Sequence, residues 1–262
     1  MALVCLGLSG TAGYIFYQQQ QPQPAQLLEQ ALEAESLGRI ASAQQLYQEI
    51  EQNYPLTAAA SEALFRRGRL LHYDLNQPRQ ALVVYLRLER DYPATEQMLP
   101  AREEAARIVK GVLRDYPQAI AAYQRLLTDH PEAGDRYLFE MADCYFRLEN
   151  YSQARVELER LLQEYPQSQL AAAALDQQAG MLLLEKRVAD ARQYWQRLIT
   201  SYPASRYRPR AEFNLAKILE NEERLQEALQ QYRAIKDFAH PALLQEKIEH
   251  LQQRIVAKKK TI

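Results

Sequence analysis

The run Asn150 to Pro166, NYSQARVELERLLQEYP, recurs in outline five more times, and no other feature restricts the fold so tightly. Its fixed points are Ala154, Leu158, Leu161 and Pro166: a small residue, a bulky one four on, another three on, then a proline. Ala43, Tyr47, Ile50 and Pro55 occupy the same frame, as do Ala81, Tyr85, Leu88 and Pro93, and Ala119, Tyr123, Leu126 and Pro131. Ala191, Trp195, Leu198 and Pro203 follow, and Ala228, Tyr232, Ile235 and Pro241 match more loosely. Successive prolines are 38, 38, 35, 37 and 38 residues apart. A period of this size marks a helical solenoid, whose units bury their apolar faces only by stacking on neighbours. Positions i, i+4 and i+7 share one helix face, so each alanine and its two bulky partners form an inward stripe. The alanine lets another helix come close, and the proline stops the helix because its ring clashes with the preceding turn.

The spacing predicts helix pairs at 25–36 with 40–53, 58–75 with 78–91, 95–114 with 117–129, 133–148 with 151–164, 169–184 with 188–200, and 207–221 with 225–237. A final segment, Ala242 to Ala257, carries Leu244, Ile248, Leu251 and Ile255 on one helical face and polar residues on the other. That is the pattern of a capping helix, docked on one side and wet on the other. Lys258, Lys259 and Lys260 begin a basic tail, 258–262.

The fourth unit also has an upstream helix with Leu138, Met141, Ala142 and Tyr145, and this two-helix pattern resembles the tetratricopeptide repeat from about Ala25 to Lys236. Other units carry part of it: Ala31, Gly68, Ala179, and Leu215 with Ala216. In the third, Arg107 falls where the small residue belongs and Asp115-Tyr116-Pro117 interrupts early. The family's unit is roughly 34 residues; most units here are longer, with junctions such as YPLTAAAS, YPQSQLAAA and YPASRYRPRA. This Tyr-Pro-x-Ser/Thr junction is similar to the cell-envelope branch of the family, which includes the lipoprotein of the outer-membrane barrel assembly machine and the periplasmic coordinator of the Tol-Pal system. The resemblance implies an all-α, right-handed superhelical solenoid of about six helix pairs over residues 25–241, and an envelope scaffold.

In that family the first helices of successive repeats line the concave face, where partner peptides or helices bind. Carried over by position, the resemblance puts Arg66 and Tyr73 of the second repeat there, with Arg136, Phe139, Asp143, Phe146 and Arg147 of the fourth and Arg210, Phe213 and Lys217 of the sixth. Aromatic rings with arginines suit peptide binding, since a flat apolar surface and a forked donor together fix a ligand. Arg206, Arg208 and Arg210 around Tyr207 form a second candidate, for an acidic segment.

Residues Ala2 to Tyr17 carry no charge and end in the aromatic cluster Tyr14, Phe16 and Tyr17, as at a bilayer interface. At this length a helix spans roughly 24 Å, somewhat short of the ~30 Å hydrocarbon core. The first reading is an uncleaved signal anchor over 1–17; a signal peptide cut near Gly10-Thr11-Ala12 and a buried packing helix are the others. Residues before Cys5, Ala2-Leu3-Val4, do not form the lipobox a lipoprotein would carry. The Gln/Pro stretch 18–24 reads as an extended linker. No Lys or Arg precedes Arg39, which gives a weak lean to an inner-membrane anchor with repeats facing the periplasm. Secretion to the periplasm after cleavage, or a cytoplasmic scaffold, are the alternatives.

A formal charge of −1 with both signs interspersed provides no field to gather nucleic acid. Neither G-x-G-x-x-G nor G-x-x-x-x-G-K-[ST] occurs, nor H-E-x-x-H, C-x-x-C or G-x-S-x-G. His72, His130, His240 and His250 fall in different units, and Cys144 reads as a small core residue. The expectation is therefore a non-catalytic, membrane-tethered adaptor without cofactor or metal, binding a protein or peptide partner. A structural subunit of an envelope assembly, touching its neighbours through the outer edge, is the alternative.

Overall fold

The computed structural model describes residues 23–260, and the expected N-terminal apolar segment and the linker up to residue 22 lie outside them. Thirteen α-helices follow one another, with no strand among the described residues. They are α1 (Pro24–Ser36), α2 (Ile40–Asn53), α3 (Ala58–Arg69), α4 (Pro78–Asp91), α5 (Met98–Ile108), α6 (Tyr116–Asp129), α7 (Gly134–Arg147), α8 (Tyr151–Glu164), α9 (Ala171–Leu184), α10 (Val188–Ser201), α11 (Arg208–Asn221), α12 (Leu225–Ala234) and α13 (Pro241–Lys260). None of the described helices is long and apolar enough to cross a membrane. The chain divides into two compact units, one ending at Ala122 and one beginning at Tyr123.

Within the first unit α1 packs on α2, α2 on α3, α3 on α4 and α4 on α5; within the second, α7 to α12 pack in the same consecutive way and α13 packs on α12. Every alanine and both bulky residues of each repeat frame are buried, from Ala43, Tyr47 and Ile50 to Ala228, Tyr232 and Ile235. The inward stripe read from the sequence is thus the core of both units.

The prolines act through the residue before them. Helices α2, α4, α8 and α10 end on Tyr54, Tyr92, Tyr165 and Tyr202, all near φ −130° and ψ 50–60°, because a following proline ring excludes the helical conformation. The sixth frame differs from expectation. Helix α12 stops at Ala234, Ile235 is extended, and Pro241 opens α13, where a missing N–H costs nothing. Pro24 likewise opens α1 and is not the end of a linker.

Each hairpin turns on one left-handed residue: Gly38, Asn76, Arg114, Glu149, Lys186 and Glu223, with φ between 52° and 70°. In the second and third repeats the first helix ends in a π turn, Leu70–Asp74 and Val109–Leu113. These turns correct the third-repeat register. The small residue precedes the second-helix alanine by 12 residues in four repeats, Ala142 to Ala154 for example, but by 13 from Gly68 to Ala81 and from Ala106 to Ala119. A π turn absorbs one extra residue, so Ala106, which is buried, takes the place that a fixed offset gave to the exposed Arg107.

Candidate partner-binding site

The second unit carries a cavity of about 400 Å³ lined from four helices: Asp143 and Phe146 of α7, Asp176, Gln177, Gly180, Met181 and Leu184 of α9, Trp195 of α10, and Arg210 and Asn214 of α11. Its position follows from α9, AAAALDQQAGMLLL, a helix buried on most sides and so apolar nearly all round. Beside the amides Gln177 and Gln178 it carries one charge, Asp176, a carboxylate only 3% exposed. Burying such a charge is costly unless it is paired and hydrogen-bonded. The Trp195 indole N–H donates to its Oδ1 at 3.1 Å, and the Arg210 guanidinium pairs with its Oδ2. Arg210 is held from behind by Tyr207, whose ring centroid is 5.5 Å from the guanidinium carbon. Asp143 is 3.6 Å from Arg147. The cavity wall is therefore apolar, through Phe146, Met181, Leu184 and Trp195, and its charges are matched in place.

Of the residues anticipated for this face, the cavity brings together Asp143, Phe146 and Arg210, from the fourth and sixth repeats. Arg147 sits beside Asp143, and Arg136 is exposed with its guanidinium over the Tyr137 ring at 5.7 Å. Phe139 is half-buried and Lys217 exposed, and neither lines the cavity. Phe213 is used in packing: its ring stacks on Phe238 at 4.7 Å and tilts against Tyr232 at 5.2 Å. In the arginine group around Tyr207, Arg208 spends its charge on Glu212 at 2.7 Å and Arg210 on Asp176.

Arg66 and Tyr73 belong to the first unit. Arg66 donates to Glu62 at 2.6 Å and is 3.8 Å from Glu35. The Tyr73 hydroxyl donates to the buried Glu104 carboxylate at 2.8 Å, which also accepts from Arg107 at 2.7 Å. Burial, and then that bond, raises the Tyr73 hydroxyl above the ordinary tyrosine range. Its ring stacks on His72 at 4.3 Å.

No face residue of the fifth repeat was anticipated from the sequence, although the period pointed to them. Asp176 lies 37 residues after Phe139 and 37 before Phe213, and Gly180 stands in the same way between Asp143 and Lys217. Among the described residues no group of three or more His, Cys, Asp and Glu could hold a metal ion, and Cys144 is buried.

Tetratricopeptide-repeat sequence profiles match residues 62–95, 113–177 and 186–242. This chain is a tetratricopeptide-repeat protein. No curated protein matches it in sequence. Among solved structures this repeat protein is similar to the apo form of RapI, with TM-score 0.60 at 14% identity over 96% of this chain and 80% of that one. A tetratricopeptide repeat protein from Parabacteroides merdae ATCC 43184 gives 0.58 at 15% identity, over 87% and 98% of the two chains. PilW, a type IV pilus biogenesis factor, gives 0.54 at 16% identity, over 88% and 100%. At such identities the likeness is one of fold.

Proposed function

We propose that this repeat protein is a non-catalytic scaffold, tethered to the bacterial cell envelope through its N-terminal segment, that binds a segment of another protein on the face formed by α7, α9 and α11. The cavity carries this reading. It has an apolar wall and few polar groups, its volume falls within the ~300–1,000 Å³ usual for binding pockets, and it draws on three successive first helices. The uncharged residues Ala2 to Tyr17 are the tether in this reading and its basis for an envelope location. PilW, similar in fold, is named as a biogenesis factor, a role in keeping with assembly at an envelope.

Protease treatment of spheroplasts with an intact inner membrane tests the location: the repeats should sediment with membranes and be digested from outside. Protection of a soluble chain would remove the envelope assignment. The binding face is tested by Leu184→Glu, which should release a co-purified partner that Val156→Glu retains.

The outer edge supports a second reading, as a structural subunit. Val83 and Leu86 are 67% and 51% exposed on α4, and Val156 is 50% exposed on α8, all on second helices. Loss of the partner with Val156→Glu alone would favour it.

A further inference from the structure

We infer that the cavity is built for an extended peptide segment that inserts one bulky apolar side chain beside Gly180 and offers its main chain to Gln177 and Asn214. This rests on the reading of that face as a partner-binding surface and specifies what it takes.

Gly180 is the first observation. It lies inside α9, where glycine is a poor helix former, and its backbone is not left-handed. A Cβ added there would meet nothing within 4 Å, whereas one on Gly68 or Gly134 would run into a tyrosine. Packing and conformation both leave a side chain room at 180, so the glycine's effect is to keep open the cavity it lines. Around it stand Phe146, Met181, Leu184 and Trp195, surfaces that gain by covering apolar area.

The second observation is the state of the polar groups. Asp176 is bound to Trp195 and Arg210, and Asp143 faces Arg147. The side chains of Gln177 and Asn214, both half-buried on the cavity lining, make no hydrogen bond among the described residues. An amide offers a donor and an acceptor together, which is the complement of a peptide group. A helical ligand bonds its own main chain and has little use for two amides, while a charged side chain meets lining charges that already have partners. An extended segment with an apolar anchor uses both the cavity and the amides.

Trp195 is the chain's single tryptophan, so its fluorescence reports on this cavity. The probes are short Gly/Ser peptides with one central Leu, Phe or Ala, the Leu peptide N-methylated at both amides flanking the anchor, and a Leu peptide locked in a helix. The Leu and Phe peptides should shift the Trp195 emission saturably and the Ala peptide should not. Gly180→Leu, which fills the space, should weaken binding at least about tenfold at unchanged helical circular dichroism. Asn214→Ala should weaken it several-fold and leave the N-methylated peptide unaffected; this variant keeps the test open should Gly180→Leu disturb the fold. Preference for the helix-locked peptide, or undiminished binding by Gly180→Leu, overturns the inference. If no peptide binds while a partner still cross-links to a photoreactive residue at 184, the inference fails and the scaffold reading stands. If that cross-link is also absent, both fail.

Discussion

The Tyr165 hydroxyl donates to the Pro131 carbonyl at 2.7 Å, so the tyrosine of one Tyr-Pro junction is tied to the junction before it. Tyr202 repeats the bond to Pro166 at 3.2 Å, and in the first unit the Tyr92 hydroxyl accepts from the Leu56 N–H at 3.0 Å. The recurring dipeptide thus has two jobs: the proline ends a helix and the tyrosine reaches back to the junction of the preceding repeat. Junction likeness to envelope relatives has a stacking cause of its own, whatever compartment the chain occupies.

Tyr165→Phe should lower stability by roughly 0.5–1.5 kcal/mol, the net worth of one such hydrogen bond. Gly134→Ala should cost more, about 1–3 kcal/mol, since its Cβ would lie 2.1 Å from the Tyr165 hydroxyl oxygen and 2.7 Å from Leu127. Urea titration followed by circular dichroism ranks the two.

Glycines in first helices should split by environment. At Gly68 a Cβ would come within 2.4 Å of the buried Tyr85 ring, so Gly68→Ala should destabilise by about 1–3 kcal/mol. Gly180→Ala meets open space and should stabilise by up to about 1 kcal/mol. Thermal melts showing the same sign for both would contradict the packing described.

The hairpin turns hold side chains in a backbone conformation that favours glycine. Glu149 and Lys186 sit at φ 58° and 62°, where the first repeat has Gly38. Glu149→Gly should therefore stabilise by roughly 0.5–1 kcal/mol, against the usual direction for glycine. Denaturant midpoints read the effect.

The capping helix is pinned by charge as well as by the fully buried Leu251. Glu220 pairs with Lys247 and Arg254, and Glu223 with Arg254 and Lys258. The Lys258 hydrogen bond, with help from Arg254, holds the Glu223 carboxyl below its ordinary value of 4.5. A lowered folded value means that this contribution is present above the unfolded value and is lost as pH falls through the folded one. Protection of α13 amides against hydrogen exchange, taken relative to the intrinsic rate at each pH, should fall below that range, and Lys258→Ala should flatten the response.

Helix content and the core stripe were legible because burial forces a strict period: each Ala, Tyr or Leu of the frame is where the spacing put it. The third repeat was not, because one inserted residue is hidden in a π turn and nothing in Val109–Leu113 announces it. Asp143, Phe146 and Arg210, named from the repeat frame, line one cavity. Asp176 was not sought, since its role depends on Trp195 and Arg210, which are 19 and 34 residues away in sequence. Phe213 read as a binding aromatic because the sequence does not reveal that Phe238 returns to cover it.

The most direct test is photo-cross-linking in cells, with a photoreactive residue replacing either Leu184, 60% exposed at the cavity, or Val156 on the outer edge. A discrete protein adduct from position 184, absent from 156 and lost on adding Gly180→Leu, is the result expected. An adduct from 156 with none from 184 would contradict the account and transfer function to the outer edge.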